Sequence, residues 1–317
     1  MYMNDESKQR LLHYSILEKL GVGGNGQVYK AWDTVQERFV ALKLLKPHLI
    51  NTEIFRNRIL PIVNKLSCNP HPNICAVFGT HRVDETYLIV TEYLEGVTLQ
   101  ELSKQGSVDN HTFLNIAAQV ADGLKHAHEH DITHGNIKPS NIMVIENNQV
   151  KIMDFGLSCF PEVSKAASTE SSPERLAYLA PEQITSEPIT LMADLFSLGV
   201  LSYELLSGQR PFVGRTPDAV MSSILNDTPD FATLRARKIP GDTILMIEKL
   251  LAKDPSDRFS SAEELVITLQ VMQSFEQELA TRKLLQVKPR TTRHYLIISL
   301  LAALLVALWY VVTTYRH

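Results

Sequence analysis

The chain is poor in cysteine and has no excess of positive charge. Its three cysteines, Cys68, Cys75 and Cys159, include no C-x-x-C pair. An odd number of cysteines without metal-ligand spacing indicates a reducing compartment rather than a disulfide framework. Lysine and arginine together number 31 against 35 acidic residues, a formal net charge of −4. Such a chain does not neutralise a phosphate backbone, so we expect no nucleic-acid partner.

Internal repeats, low-complexity tracts and an N-terminal stretch of the signal-peptide kind are also absent from the 317 residues. One long apolar run lies at the other end, where residues 296–312 read LIISLLAALLVALWYVV. As a helix at about 1.5 Å per residue, this run would extend roughly 26 Å, just enough to cross a bilayer. We expect a single transmembrane helix over residues 295–313, preceded by a helical and basic juxtamembrane linker over residues 273–294.

The residues that flank this run indicate its orientation. Tyr295, Trp309 and Tyr310 lie near its ends, where amphipathic rings prefer the interface, and Lys288 and Arg293 precede it. Positive residues on that side predict a C-terminal tail anchor in the membrane, with the large domain in the cytoplasm. The alternative is a buried helix that ends the domain, although such helices usually carry a polar face.

Two hydrophobic patterns divide the rest of the chain. Short β-type runs come first, among them SILEKLG, QVYKAWD, RFVALKLL and YLIVTEY. After Leu99 the spacing becomes helical, as in Phe113, Ile116 and Val120. We therefore expect an α+β fold in two lobes, one small and strand-rich and one larger and helical. Their expected bounds within residues 14–272 are 14–95 and 96–272.

A glycine-rich segment, GVGGNGQV, lies between two of the strand-like runs. Glycines allow a hairpin backbone to approach phosphates without Cβ collisions. A dinucleotide-binding loop would open a helix after its last glycine, whereas the strand-like QVYK follows here. Alone, such a hairpin is most often only a turn. The residues expected to line a nucleotide are Gly21, Val22, Gly23, Gly24, Asn25, Gly26 and Val28.

A lysine follows at the end of the next apolar strand, VALK, which runs from Val40 to Lys43. A strand lysine is usually a solvated edge charge. The order and spacing of the glycine segment and this lysine instead favour a lysine that pairs with the α- and β-phosphates of a nucleotide.

Further segments follow in an order that resembles the Hanks-type (eukaryotic-like) serine/threonine protein kinases, especially the bacterial, membrane-anchored ones. They are HPNI at 71–74, TEYLEGVTL at 91–99, HGNIKPSNIM at 134–143, DFG at 154–156, APE at 180–182, DLFSLGV at 194–200 and DPSDRF at 254–259. The resemblance covers residues 14 to about 272 and implies the bilobal protein-kinase fold.

The resemblance also implies ATP and Mg²⁺ as ligands. Asn141 and Asp154 would hold the metal, because carboxylate and amide oxygens are hard ligands for a hard cation. Lys43 would bind the phosphates, and Lys138 would reach the γ-phosphate.

At the adenine end, the backbone of Glu92 to Leu94 would receive the base, beside Ala41. Thr91 stands at the position that borders the adenine pocket in the family, although a place in an edge strand explains it equally well.

The sequence departs from the family in the catalytic loop. His134-Gly135-Asn136 stands where the family has His-Arg-Asp, whose aspartate accepts the substrate hydroxyl proton. An amide is no base, and general base catalysis typically contributes about 10²–10⁴-fold. Asn136 and Lys138 therefore form a degenerate catalytic loop.

A second departure concerns the acid that pairs with the strand lysine in the family. Between Glu53 and Asp84 the sequence contains no Asp or Glu. Alignment places Ile62 at that position, or Ile59 with a short insertion. The lysine must find another partner, for which Asp154 is the candidate, and Pro61 should start the helix late or kink it.

A third departure lies near the APE segment, where Arg175 replaces a threonine that in the family bonds the catalytic aspartate. With Gly135 in place of the loop arginine, the usual cationic clamp for a phosphorylated activation loop is also missing. Scaffold positions remain: the resemblance implies a buried ion pair between Glu182 and Arg258, and Asp194 as the brace of the catalytic loop.

The histidines of HAHEHDITH suggest a metal cluster, but their two-residue spacing points away from one helix face. The resemblance implies structural roles for His128 and His134. Cys159 is either a redox handle or a small buried hydrophobe.

Together, these features predict a membrane-tethered kinase-like signalling protein that binds ATP and Mg²⁺, with phosphotransfer weak or lost. Its protein substrate or docking partner is not identified by the sequence. Two alternatives stay open: an active serine/threonine kinase with rewired catalytic groups, and a nucleotide-independent scaffold.

Overall fold

The computed structural model describes residues 10–23, 26–50, 52–53, 55–84, 86–155, 176–185, 187 and 190–285. The strands are β1 Arg10–Leu11, β2 Tyr14–Gly23, β3 Gly26–Asp33, β4 Arg38–Leu45, β5 Val77–Val83, β6 Thr86–Glu92, β7 Gly96–Thr98, β8 Ile142–Ile145 and β9 Val150–Ile152. The helices are α1 Pro47–Ile50, α2 Leu60–Cys68, α3 Leu99–Ser103, α4 Asn110–Glu129, α5 Pro181–Ile184, α6 Met192–Ser207, α7 Pro217–Asn226, α8 Ala232–Ala236, α9 Gly241–Leu250 and α10 Ala262–Leu285.

The small lobe is an antiparallel sheet in the order β1-β2-β3-β4-β6-β5. Strand β4 alternates, with Val40 and Leu42 buried among apolar side chains on one face. Because side chains alternate along a strand, Ala41 and Lys43 lie on the opposite face. Hydrophobic alternation thus turns the lysine away from the core of this cluster.

The hairpin of β2 and β3 packs closely against β4. A Cβ atom added at Gly26 would lie 2.0 Å from the backbone oxygen of Leu44. A larger residue would therefore prevent the close approach of the neighbouring strand. This packing requirement is a second reason for glycine here, besides the access that glycine gives to a ligand.

Helix α2 begins late. A π-helical turn, Phe55–Ile59, precedes it, and Pro61 lies in its first turn, where its missing N–H costs no hydrogen bond. The prediction that Pro61 delays the helix is confirmed. Phe55, Ile59 and Val63 are buried in one apolar cluster with residues of β4 and β6.

The large lobe is built around α4 and α6. Helix α4 starts at the side-chain cap of Asp109, which accepts a hydrogen bond from the Thr112 N–H at 2.7 Å. Helix α6 is buried on nearly every side, as its apolar sequence predicts. After α4 the chain enters a loop and then β8 and β9, which pair with the earlier strand β7 in a three-stranded sheet.

Arg258 and Glu182 form a bidentate ion pair within this lobe, as predicted. The two N···O distances are 2.7 and 2.9 Å, and both side chains are fully buried. The remaining guanidinium donors bond the backbone oxygens of Met192, Ala252 and Lys253. Full satisfaction of the charges offsets the cost of burying them.

The chain divides into two units, Met1–Met272 and Gln273–His317. The first part of the predicted linker is helical, since α10 continues to Leu285. The predicted transmembrane helix, residues 295–313, lies outside the described residues. Within the described ranges, no helix is both long and apolar enough to cross a bilayer.

Candidate nucleotide site

Lys43 and Asp154 form an ion pair, with Nζ 2.9 Å from Oδ1. The lysine comes from β4, and the aspartate follows β9, so the pair joins the two lobes. The prediction that Asp154 replaces the missing acid as partner of Lys43 is confirmed.

Helix α2 brings no acid to this lysine. Ile59 is buried in the small-lobe cluster, whereas Ile62 packs against the large-lobe cluster that contains Leu66 and Phe155. Both positions at which an acid was expected therefore carry isoleucines that pack in the apolar cores.

The environment of Asp154 favours its charged form. Burial alone would raise the pKa of its carboxyl, but the charge and hydrogen bond of Lys43 outweigh this effect, with smaller contributions from His134 and Lys138. The pKa therefore lies below its usual value. The residue has a φ of +65°, in the left-handed region. This backbone aims the carboxylate while 44% of the side chain stays exposed to a ligand.

Asn141 is buried beside Asp154 and is bonded through both main chain and side chain. Its backbone oxygen accepts from the Met153 N–H at 2.8 Å, and its Nδ2 donates to the backbone oxygen of Asn136 at 2.9 Å. Because the amide nitrogen is used in this bond, Oδ1 is the atom suited to a cation. Asn141 and Asp154 thus fit the oxygen-ligand chemistry of Mg²⁺.

Asp194 braces the catalytic loop, as predicted. It accepts from the backbone N–H groups of His134 and Gly135 at 2.8 and 2.7 Å, and His128 Nε2 lies 2.9 Å from its carboxylate. The structural role predicted for His128 is confirmed.

His134 is held as a neutral ring between two backbone groups. Its Nδ1 accepts from the Asn136 N–H at 3.1 Å, so Nε2 carries the proton toward the Met153 oxygen, 2.8 Å away. Burial lowers the pKa of His134, which agrees with the neutral form. The ring also stands edge-on to Phe155. These bonds position Asn136 at the place of the family's catalytic base.

Gly135 stands at the position of the family's loop arginine. Its φ of 71° lies in the left-handed region, which glycine enters without strain. Its oxygen accepts from Gln183 Nε2 at 3.1 Å, a contact that the sequence did not reveal.

Four predicted nucleotide contacts share one face of the small-lobe sheet. Val28 is the cross-strand partner of Lys43, and Ala41 is the partner of Thr91. Partners directly opposite each other point to the same side of a sheet. Gly21, Val22 and Gly26 lie in the hairpin above them, and Gly23 pairs with Gly26. Gly24 and Asn25 lie outside the described residues.

The hinge after β6 is fixed by a contact that the sequence analysis missed. Glu92 Oε1 accepts from the Ala76 N–H at 2.6 Å and from Lys151 Nζ at 2.8 Å. A charged residue inside the buried strand VKI was the available signal. Leu94, the third predicted hinge position, is half-buried.

Beside this hinge lies Cys75. Burial, followed by the charge of Glu92, raises the pKa of its thiol to about 12, so it is a neutral packing group.

Two further histidines of the HAHEHDITH segment pack together with His71. His126 stacks on His71 at 4.7 Å between ring centroids and lies near His130. Over the part of the chain that the structure describes, no group of three metal-ligating side chains has the geometry to bind a metal ion. Cys159 and Arg175 lie outside the described residues.

A strand-rich lobe carries a lysine turned away from its core, and the helical lobe joined to it carries a braced loop, an asparagine and an aspartate. This arrangement defines the protein-kinase class of fold. The family model for the protein kinase domain matches residues 14–269. The chain therefore belongs to the protein kinase family.

Bacterial serine/threonine-protein kinases are among its relatives. PrkC of Bacillus subtilis is 33% identical over 253 residues, which cover 80% of this chain and 39% of that protein. PknB of Mycolicibacterium smegmatis is 33% identical over 264 residues, covering 80% and 41%. The chain thus spans about two fifths of the length of these curated relatives.

Solved structures agree on the fold. Rad53 (1–466) in complex with AMP-PNP aligns with a TM-score of 0.67 at 28% identity, over 80% of this chain and 64% of that chain. The kinase domain of Mycobacterium tuberculosis PknI aligns with a TM-score of 0.67 at 23% identity, over 86% and 100%. The second likeness concerns the fold alone.

Proposed function

We propose that this protein is a membrane-tethered kinase-like signalling protein that binds ATP with Mg²⁺ and transfers phosphate weakly or not at all. The observation that carries this proposal is the contrast between two parts of one site. Lys43, Asp154 and Asn141 are assembled for nucleotide and metal, whereas Asn136 occupies the position of the base.

The positions of these three side chains support the binding of a nucleotide. Lys43 Nζ would bind the phosphates, and it already lies 2.9 Å from the Asp154 carboxylate, which would hold the metal beside them. Asn141 Oδ1 and the Asp154 carboxylate would hold Mg²⁺, which when bound neutralises charge on the triphosphate. The segment from Glu92 to Leu94 is fixed by the hydrogen bonds of Glu92, and its backbone would receive adenine.

The loop supports weak phosphotransfer. Its backbone is ordered by Asp194, so Asn136 still has the position from which a substrate hydroxyl is oriented. An amide cannot take the hydroxyl proton, and an effect of about 10²–10⁴-fold is lost with the carboxylate. Signalling would then rest on conformational change upon ATP binding.

The anchor rests on the sequence of residues 296–312, which carries no charge and has the length of a marginal membrane span. The basic residues before it support an orientation with the kinase-like domain on the cytoplasmic side.

The direct test is the melting temperature of the purified protein with and without ATP and Mg²⁺, since a ligand of the folded state raises it. A Lys43→Met variant, which lacks the cation for the phosphates, is the control for binding. A radiolabelled-phosphate assay on generic protein substrates, with Asp154→Ala as its control, measures transfer. Equal melting temperatures with and without ATP would refute nucleotide binding and favour a scaffold.

Membrane tethering has its own test. Fractionation of cells should place the full chain in the membrane and a chain that ends at Leu285 in the soluble fraction. Recovery of the full chain in the soluble fraction would refute the anchor.

An active kinase with rewired groups is the second candidate. The intact brace of the loop and the identity of 33% with serine/threonine kinases favour it. Incorporation of label above the Asp154→Ala control would select this candidate.

A further inference from the structure

We propose that this site binds a nucleoside triphosphate without requiring a divalent cation. The inference rests on the proposed ATP binding and deepens it, because it concerns the form in which the nucleotide is held.

The first argument is the charge of the phosphate-binding end. Lys43 and Lys138 bring two positive charges, and Asp154, to which both are electrostatically coupled, brings one negative charge. A kinase with the family's loop aspartate and helix glutamate would present three carboxylates to the same two lysines. Its site would be net negative and would need a cation before it accepts a polyanion. Here both of those carboxylates are absent, since Asn136 and isoleucines stand in their places.

The second argument concerns two other carboxylates of the described residues, which are bonded to groups away from the phosphate-binding end. Glu92 bonds Lys151 and the Ala76 N–H at the hinge. Asp194 is buried beneath the loop and is bonded by two backbone N–H groups and His128. Neither charge offsets the lysines at the phosphate end.

The third argument concerns exchange of partners. Among the described residues, Lys43 forms an ion pair with Asp154 alone, and the two side chains are 15% and 44% exposed. Solvent screens the aspartate in part, and a triphosphate offers Lys43 an anionic partner in place of the carboxylate, so a triphosphate can take Lys43 from Asp154. A divalent cation on Asp154 would assist this exchange without being necessary for it.

The test measures ATP affinity of the detergent-solubilised full chain by calorimetry, in excess Mg²⁺ and in EDTA at equal ionic strength. We expect the two Kd values to differ by less than about fivefold. The metal-free affinity should fall as salt rises, because it is electrostatic. Binding in Mg²⁺ that weakens more than about 30-fold in EDTA would overturn this inference while leaving ATP binding intact. Absence of binding in both buffers would remove the proposed function itself.

Restored carboxylates should restore metal dependence. Asn136→Asp and Ile62→Glu should each widen the gap between the two Kd values to about tenfold or more. Ile62 is partly buried, so Asn136→Asp, which preserves shape, keeps the test decisive if Ile62→Glu does not fold.

Removal of the remaining carboxylate should act in the opposite direction. Asp154→Asn should bind metal-free ATP at least as tightly as the natural chain and gain nothing from Mg²⁺. Asp84→Asn is the matched control, because it makes the same change at an exposed hairpin turn and should behave as the natural chain does. Loss of metal-free binding in Asp154→Asn alone would contradict the inference.

Discussion

Lys43 Nζ lies 2.9 Å from Asp154 Oδ1, and this bond takes the place of the lysine–glutamate pair that kinases of this family form with the helix after the lysine strand. The lysine is thus held by the same aspartate that would bind the metal. Activation by movement of an acid on α2 toward Lys43 is not available to this chain, since residues 54–83 contain none.

Lys43→Met should abolish the rise in melting temperature that ATP produces, because the phosphates lose their direct cation. The free energy of unfolding without ATP should change by about 1 kcal/mol or less, since the partner is partly exposed. Calorimetry and thermal melts check both. Lys104→Met, at an exposed position, is the control. An unchanged ATP response in Lys43→Met would contradict the assigned role.

Asn136→Asp should raise phosphotransfer by about tenfold or more, because it supplies the missing base on a loop that is already ordered. The radiolabelled-phosphate assay measures this gain, with Asn136→Asp combined with Asp154→Ala as the control that should lose it. If the single variant is no faster than the natural chain, the base is not what limits transfer.

Glu182→Gln should lower the free energy of unfolding by about 3–5 kcal/mol, because it leaves the buried Arg258 charge uncompensated. Urea denaturation measures the loss. Replacing both partners with Met and Leu should cost less than the single change. A Glu182→Gln variant as stable as the natural chain would argue against this ion pair.

Lys151→Met should both destabilise the fold and weaken ATP binding, since Glu92 at the hinge keeps only the Ala76 N–H. An unmet group of this kind costs about 1–3 kcal/mol. Urea denaturation and ATP calorimetry report the two effects. Lys125→Met removes ion pairs to more exposed glutamates and serves as control. ATP affinity equal to that of the natural chain would show that the pair does not position the hinge.

Glu264 should make a small pH-dependent contribution to stability. Hydrogen bonds from Lys249, and then from Ser260, lower the pKa of its carboxyl from 4.5 to about 2. A lowered pKa in the folded state means that the contribution is present above pH 4.5 and is lost as pH falls toward 2.

Both side chains of the Lys249–Glu264 pair are about two fifths exposed, so the contribution should stay near 1 kcal/mol or below. Urea denaturation of the natural chain and Glu264→Gln at several pH values tests this. A difference in stability that grows as the solution becomes more acidic would have the wrong sign.

Local patterns predicted a large part of this fold because they depend on neighbours in the sequence. The alternation in β4, the helical spacing of α4 and the proline in α2 each act over a few residues. The π-helical turn before α2 was not predicted, since its geometry depends on how Phe55 and Ile59 pack into the small-lobe cluster.

The sequence by itself determined the family, the order of its motifs and the two missing carboxylates, because residue identity is enough to show that an amide replaces a base and that isoleucine carries no charge. Only the tertiary structure decided where the partners lie. Lys43 and Asp154 are far apart in the chain, and their bond exists because two lobes meet there. The Glu92–Lys151 pair and the Gln183–Gly135 contact likewise depend on long-range packing, which no local pattern encodes.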